Sequence, residues 1–329
     1  MVQLYNFKTN SRSKEMKTFK KGVVLDAKSV GLKVLEVLKE VADFDFYEIT
    51  SPNQVVERCK EAEIVVLNKV VITQEILSQL PKLKLICITA TGTDNVDIKS
   101  AKALGIEVKN VSAYSTESVA QHTLACALSL LGRINDYDHY CKSGEYSQSD
   151  IFTHISDIKM GLIKGSQWGV IGLGTIGKRV ANLAQAFGAK VVYYSPKDKK
   201  EEYEHLSLKD LLTTSDIISI HAPLNENTRD LIALKELQSL KDGATLINVG
   251  RGGIVNEKDL AEILETKDLY YASDVFVKEP FEKDHAFLNP KIQNKLLLTP
   301  HIAWAYSDSL KTLVEKTKEN IQDFLASQK

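Results

Sequence analysis

The chain has 329 residues, of which 43% are hydrophobic and 26% charged, and its formal net charge is −1. This length suits two domains, and the composition is ordinary for a globular protein. The small net charge gives no reason to expect nucleic acid or an anionic membrane as a partner, and the longest apolar run, 124–131, is too short to span a bilayer.

The N-terminus and the cysteines indicate a protein of a reducing compartment. Residues 1–15 are polar and patternless, and we expect a disordered extension there, without the apolar core of a signal peptide. The cysteines form no CxxC pair, which predicts free thiols, a cytoplasmic location and no metal site; they are Cys59, Cys87, Cys126 and Cys141.

The first half of the chain alternates short apolar strands with amphipathic helices. Strands are predicted at 22–27, 44–49, 63–68, 83–89 and 107–110, and helices at 32–41, 55–62, 73–80 and 116–131. This alternation predicts a parallel sheet covered on both faces.

A second alternation begins at Gln167. Its strands are predicted at 167–172, 190–194, 216–220, 244–249, 270–276 and 296–300, with helices beginning near Ile176, Leu208, Lys235 and Glu257. We expect the last helix, after Tyr306, to return to the first block. The sequence thus predicts an α/β fold with two doubly wound Rossmann-like domains. The first is built from both chain ends (16–114 with 300–329), and the second is inserted as one continuous piece (115–299).

The segment GLGTIG follows a predicted strand and opens a helix, which is the context that gives a GxGxxG pattern meaning. Gly172 permits the tight turn, Gly174 allows a pyrophosphate to approach, and Gly177 allows close packing of helix and strand. The segment therefore predicts a dinucleotide site, and the alternative is a purely structural glycine turn.

Three side chains at later strand ends are suited to hydride transfer onto a 2-keto acid. Taken singly, Arg251, Glu279 and His301 have ordinary structural explanations. Together, a histidine delivers a proton near neutral pH, a carboxylate favours its protonated form, and a guanidinium grips the substrate carboxylate.

Seven successive motifs resemble those of the D-isomer-specific 2-hydroxyacid dehydrogenase family, over about residues 20–325. They are ATGTDNVD, STESVAQHTL, GLGTIG, HAPLNENT, NVGRGGIV, ASDVFVKEP and PHIA. The resemblance implies that the first domain is a flavodoxin-like substrate domain and that the inserted domain binds NAD(P). It also implies that Arg251, Glu279 and His301 form the catalytic trio. It further implies that Asp274 binds the nicotinamide carboxamide of the cofactor. The full set of implied cofactor contacts is Thr91, Gly172, Gly174, Thr175, Ile176, Gly177, Ser195, Ala222, Pro223, Val249, Gly250, Asp274 and Ala303. Substrate contacts are expected from Lys69, Thr91, Gly92, Arg251, His301 and Trp304.

Two positions depart from the family pattern. Gln121 stands where an acid is usual, and we expect a structural or dimer-interface position. Ser195 stands where an acid normally holds the adenosine ribose and repels a 2′-phosphate. Lys197, Lys199 and Lys200 follow it, either to bind that phosphate or merely to solvate a loop. The sequence therefore implies NAD(H) or NADP(H) and leaves the preference open.

Three further sequence features favour a small substrate. Only a terminal helix follows His301, without the regulatory domain of many phosphoglycerate dehydrogenases, and PHIAW and NKVVIT resemble the glycerate dehydrogenase and hydroxypyruvate reductase subgroup. Trp304 would narrow the pocket. We expect a homodimer that reduces hydroxypyruvate or glyoxylate. The alternatives are D-lactate or another D-2-hydroxy acid and, in a different class, a nucleotide-sensing co-repressor.

Overall fold

The computed structural model describes residues 21–155, 159–196 and 202–328. The extension predicted at 1–15 lies outside these ranges, as do Lys197, Lys199 and Lys200. The described chain divides into two compact units, 21–112 with 311–328, and 113–310. No helix in the part of the chain so described is long and apolar enough to cross a membrane.

The first unit is built on a five-stranded parallel sheet of order β2-β1-β3-β4-β5, which is the flavodoxin-like order. The strand segments 64–67 and 85–88 are wholly apolar and buried, as expected where helices cover both faces of a parallel sheet, while the segments 43–46 and 107–110 carry charged residues. Its elements are β1 (Lys21–Val24), α1 (Ala27–Val30), α2 (Leu32–Leu35), β2 (Asp43–Phe46), α3 (Val55–Cys59), β3 (Ile64–Leu67), α4 (Gln74–Leu77), β4 (Leu85–Ile88), α5 (Ile98–Ala103) and β5 (Glu107–Asn110).

The second unit holds a seven-stranded parallel sheet of order β12-β11-β10-β9-β6-β7-β8. The order reverses between β6 and β9, which is the topological switch point where open α/β sheets bind ligands. Its elements are α6 (Thr116–Leu131), α7 (Ile134–Lys142), β6 (Gln167–Ile171), α8 (Thr175–Ala186), β7 (Lys190–Tyr194), β8 (Glu204–His205), α9 (Leu208–Thr214), β9 (Ile217–Ile220), α10 (Leu234–Ser239), β10 (Ala244–Asn248), α11 (Glu257–Thr266), β11 (Leu269–Ser273) and β12 (Leu296–Leu298).

The last helix, α12 (Ser307–Ser327), belongs to the first unit from Lys311 onward. There the Lys109 ammonium donates to the Asn320 carbonyl at 3.3 Å, and the Asn320 amide donates to the Asn110 carbonyl at 3.2 Å. These bonds tie the C-terminal helix to β5, at the edge of the first unit's sheet.

The predicted α/β class with two doubly wound parallel sheets is confirmed. Element bounds differ more than topology. The helix predicted at 32–41 is a short α-helix followed by a 3-10 helix at Glu36–Glu40, and the strand predicted at 270–276 ends at Ser273. Neither α7 nor the two-residue strand β8 was predicted, because α7 buries none of its residues and β8 is too short to show a period.

Candidate active site

Six loops of the second unit leave the sheet at the same edge, because β6, β7, β9, β10, β11 and β12 are all parallel. Every site residue predicted in this unit lies in one of those loops, in the first turn of α8, or just beyond the ends of β11 and β12. They are Gly172, Gly174, Thr175, Ile176, Gly177, Ser195, Ala222, Pro223, Val249, Gly250, Arg251, Asp274, Glu279, His301, Ala303 and Trp304.

The glycine turn after β6 has no room for side chains at two of its positions. Gly172 has φ +93°, and a Cβ there would lie 2.8 Å from the backbone nitrogen of Ala222. A Cβ at Gly177 would lie 2.1 Å from the carbonyl oxygen of Gly172. Glycine at these positions is therefore required by the turn itself and by the close packing of α8 onto it.

Gly174 differs from its two neighbours because nothing lies within 4 Å of the Cβ it lacks. Gly174 also lines a cavity of about 510 Å³, together with Thr175, Lys178 and Arg179, among others. The unpaired N–H groups and the dipole at the start of the twelve-residue helix α8 favour an anion at this point. The turn thus fits the pyrophosphate of a dinucleotide.

Ser195 directly follows β7 and is buried. Its backbone carbonyl lies 3.0 Å from Nε2 of His205 on β8, so Nε2 carries a proton and donates to it. No carboxylate occupies position 195 itself, where the family pattern expects one to accept bonds from a ribose.

Asp274 is buried and follows β11 directly. Its Oδ1 accepts from the Thr299 hydroxyl at 2.6 Å and from the Ile302 amide at 2.8 Å, and its Oδ2 accepts from the Ala303 amide at 2.9 Å. A buried carboxylate is costly without such donors, and each hydrogen bond to a charged group contributes about 1.5–3 kcal/mol. The three bonds fix the carboxylate against the turn that carries His301.

His301 and Glu279 form a close pair. Nδ1 of His301 lies 2.6 Å from Oε2 of Glu279, whose Oε1 accepts from the Phe276 amide at 3.0 Å. Because a carboxylate only accepts, Nδ1 carries the proton, which leaves Nε2 to exchange one with a bound molecule. His301 has φ +56°, an uncommon conformation for a residue other than glycine and one that clusters at functional sites.

Arg251 follows β10 and is half-buried. Its Nη1 donates to the Gly250 carbonyl at 2.8 Å, and its own carbonyl accepts from the Asn248 amide at 3.0 Å. Burial raises the pKa of Tyr114, while the positive charge of Arg251 opposes that shift. The ring of Tyr114 also lies edge-on to Trp304, with centroids 6.3 Å apart. Arg251, Tyr114 and Trp304 therefore share one region of the second unit.

A second histidine–carboxylate hydrogen bond supports the loop that carries Glu279. Oε1 of Glu257, the first residue of α11, accepts from the Val277 amide at 2.8 Å, and Oε2 lies 2.9 Å from Nε2 of His285. Nδ1 of His285 accepts from the Phe287 amide at 3.2 Å. Because Nδ1 accepts, Nε2 is the protonated nitrogen and donates to Glu257.

The predicted residues of the first unit lie at the ends of β3 and β4. Lys69 is exposed, in a turn whose amide nitrogens at 68, 69 and 70 all donate to the Asp26 carboxylate, at 2.8, 2.6 and 3.2 Å. Thr91 donates through its hydroxyl to the Val111 carbonyl at 3.2 Å, and Gly92 is half-buried. Asp26 was not singled out in the sequence, although it lies two residues beyond the end of β1.

Several polar residues around Asp274 were also missed. His122 on α6 lies 3.1 Å, through Nε2, from Oγ1 of Thr299 and 3.3 Å, through Nδ1, from the hydroxyl of Tyr306. A polar residue among the apolar positions of a helix was the available signal, since His122 interrupts the run from Val119 to Leu131.

Comparison with known proteins identifies the family. The model of the D-isomer specific 2-hydroxyacid dehydrogenase NAD-binding domain matches residues 124–303. A glycerate dehydrogenase of Methylorubrum extorquens is 36% identical over 93% of this chain and 96% of its own. A hydroxypyruvate reductase of Blautia hydrogenotrophica is 30% identical over 92% of this chain and 95% of its own.

Two solved structures share the fold over almost the whole chain. The D-lactate dehydrogenase of Aquifex aeolicus, complexed with NAD and lactic acid, has a TM-score of 0.80 at 29% identity and covers 93% of this chain and 96% of its own. An acyclic imino acid reductase complexed with NADPH and D-Arg has a TM-score of 0.81 at 26% identity and covers 93% and 97%. The chain therefore belongs to the D-isomer specific 2-hydroxyacid dehydrogenases, NAD(P)-dependent enzymes that act on the CH–OH group of their donors.

Proposed function

We propose that the protein reduces a small 2-keto acid, hydroxypyruvate or glyoxylate, to the 2-hydroxy acid (D-glycerate from hydroxypyruvate) and catalyses the reverse oxidation. The observation that carries this proposal is the 2.6 Å pair between His301 and Glu279, in the same unit as Arg251 and beyond the same sheet edge as the glycine turn. Such an edge is where doubly wound sheets bind nucleotide and substrate together.

The trio divides the work of reduction. The nicotinamide supplies a hydride to the carbonyl carbon when the cofactor is bound. His301 delivers the proton to the carbonyl oxygen from Nε2, while Glu279 holds Nδ1 and stabilises the imidazolium that precedes the transfer. Arg251 grips the substrate carboxylate by charge-assisted hydrogen bonds and polarises the carbonyl. In the oxidative direction His301 accepts the proton instead.

When the cofactor is bound, the Gly174 turn would hold its pyrophosphate and Asp274 would hold its nicotinamide. We assign further cofactor contacts to Thr175, Ile176, Ala222, Pro223, Val249, Gly250 and Ala303, and the contact of Thr91 stays a prediction. Ser195 supplies no negative charge against a 2′-phosphate, so NADPH is accepted as well as NADH.

The substrate is small because Trp304 and Tyr114 occupy the region around Arg251. The substrate contacts expected of Lys69, Thr91 and Gly92 stay predictions from the family resemblance. The names of the two relatives, a glycerate dehydrogenase and a hydroxypyruvate reductase, favour a three-carbon hydroxy acid. D-lactate is the second candidate, since the Aquifex aeolicus structure holds lactic acid at this fold.

We also propose that the protein acts as a homodimer. Apolar side chains are exposed in and beside the segment between α7 and β6, and Phe152 is 92% exposed; the others include Ile151, Ile155, Met160 and Leu162. Exposed apolar side chains concentrated in one segment in this way are typical of a protein interface.

The experiment that tests the function is an initial-rate panel. Hydroxypyruvate, glyoxylate and pyruvate are each supplied with NADH and with NADPH, and nicotinamide absorbance is followed. The glycerate formed is resolved on a chiral column. We expect the highest kcat/KM with hydroxypyruvate or glyoxylate, and D-glycerate as the product. A higher kcat/KM for pyruvate, or formation of L-glycerate, would overturn the proposal.

A further inference from the structure

A chain of hydrogen bonds leads from α6 to the buried carboxylate of Asp274. The Tyr306 hydroxyl lies 3.3 Å from Nδ1 of His122, Nε2 of His122 lies 3.1 Å from Oγ1 of Thr299, and that hydroxyl lies 2.6 Å from Oδ1 of Asp274. His122 is buried at 7% exposure, and Nε2 stays 4.0 Å from the carboxylate, beyond direct hydrogen-bond distance.

The donors and acceptors fix the direction of this chain. An ionised carboxylate only accepts, so the hydroxyl proton of Thr299 points at Asp274, and Oγ1 accepts from Nε2 of His122. Nδ1 of the neutral ring then accepts from the Tyr306 hydroxyl. Burial lowers the pKa of His122, and the negative charge of Asp274 only partly opposes this shift. The ring is therefore neutral at working pH, with its proton on Nε2.

The carboxylate of Asp274 has one further hydrogen-bond acceptor site that the cofactor could use. A carboxylate has about four acceptor sites. Oδ1 accepts from Thr299 and from the Ile302 amide, and Oδ2 accepts from the Ala303 amide, which leaves one site on Oδ2. An amide N–H of the nicotinamide carboxamide is a donor that suits this site.

We propose that His122 is a positioning residue for the nicotinamide half of the cofactor, acting through Thr299 on Asp274. This inference rests on the proposed function, in which Asp274 receives the carboxamide. Without the Nε2 donor, the Thr299 hydroxyl is free to rotate away from Oδ1, and the carboxylate loses its fixed orientation. The nicotinamide then binds more weakly and its ring is held less firmly against the substrate, while the adenosine half is unaffected.

The test compares two ligands that differ only by the nicotinamide. NADH and ADP-ribose are titrated by calorimetry, and the ratio of their Kd values isolates the nicotinamide end. Where the enzyme prefers NADPH, the 2′-phosphorylated forms of both replace them. His122→Met removes the donor at similar side-chain length, and His122→Gln keeps an N–H at the same reach. Asp274→Ala serves as the reference for loss of the carboxylate.

We expect His122→Met to lower the NADH preference over ADP-ribose about five-fold, the value of one neutral hydrogen bond, with ADP-ribose affinity within about two-fold of wild type. His122→Gln should restore the ratio to within about two-fold of wild type. The kcat of the Met variant should fall as well, and the kcat of the Gln variant should fall less. A ratio unchanged in His122→Met but lowered in Asp274→Ala overturns the inference and leaves the proposed function standing. A ratio unchanged in Asp274→Ala overturns the proposed contact of Asp274 as well.

A second pair of variants, at Thr299, keeps the test decisive if His122→Met fails to fold, which a loss of ADP-ribose binding would reveal. Thr299→Val removes the hydroxyl at constant shape, and Thr299→Ser keeps it. We expect the Val variant to lower the ratio at least about five-fold and the Ser variant to stay within about two-fold of wild type. Equal ratios in the two Thr299 variants overturn the relay through Thr299.

Discussion

Gly174 and Gly177 lie three residues apart in the same turn, yet alanine should act on them in opposite ways. At Gly177 the new Cβ would lie 2.1 Å from the Gly172 carbonyl oxygen, about 1 Å closer than carbon and oxygen tolerate. Strain of this size costs about 3 kcal/mol, or roughly 6–12 °C in Tm for a unit of this length. At Gly174 the Cβ would meet nothing within 4 Å, and φ is −85°, which alanine adopts freely.

The Gly174→Ala variant should therefore melt within about 2 °C of the wild type in the absence of cofactor. Its methyl group occupies the space that the pyrophosphate needs, so charge-assisted bonds worth about 1.5–3 kcal/mol are lost and the Kd for NADH rises ten- to hundred-fold. Scanning calorimetry and isothermal titration measure the two quantities on the same samples. Wild-type NADH affinity in Gly174→Ala would refute the assignment of the glycine turn as the pyrophosphate site.

Three further predictions concern acid stability, cofactor choice and assembly. Burial lowers the pKa of His221 from 6.5 to about 3, so below pH 6.5 the unfolded chain takes up a proton that the native imidazole refuses. The free energy of unfolding should fall by up to about 2 kcal/mol on this account between pH 7.5 and 5, and urea titrations of His221→Gln should show a smaller fall; parallel curves would contradict it. Ser195→Asp should raise the NADH over NADPH ratio of kcat/KM about ten-fold or more, because a carboxylate repels the 2′-phosphate, and a constant ratio would show that selectivity lies elsewhere. Phe152→Glu should convert a dimer to a monomer in analytical ultracentrifugation, and an unchanged mass would exclude that surface as the interface.

The strand–helix alternation was sufficient to predict the architecture, because buried parallel strands have a strong and local apolar signal. Strand order was not in the sequence pattern itself: it rests on pairings such as β6 with β9, between residues about 50 positions apart. The short segments were harder. The strand β8 has two residues, and its partner β7 rather than its own propensity determines its conformation.

The glycine turn and the residues after each strand were predicted because each is a short motif beside a recognisable element. The supporting bonds were not, because they join residues far apart in sequence. His122 and Thr299 are 177 positions apart, and Glu257 and His285 are 28 apart. The positive φ of His301 could not be predicted either; it lies directly before two amides, of Ile302 and Ala303, that donate to the distant carboxylate of Asp274.

The central claim, that His301 transfers the proton, is tested most directly by His301→Asn. Asparagine tolerates the left-handed conformation at this position better than most residues, and its amide can still donate to Glu279, so the turn should be preserved. We predict that the single-turnover rate constant with hydroxypyruvate or glyoxylate, measured by stopped flow, falls 10²- to 10⁴-fold. The Kd for NADH should stay within about two-fold of wild type. A single-turnover rate equal to the wild-type rate, with NADH still bound, would contradict the account.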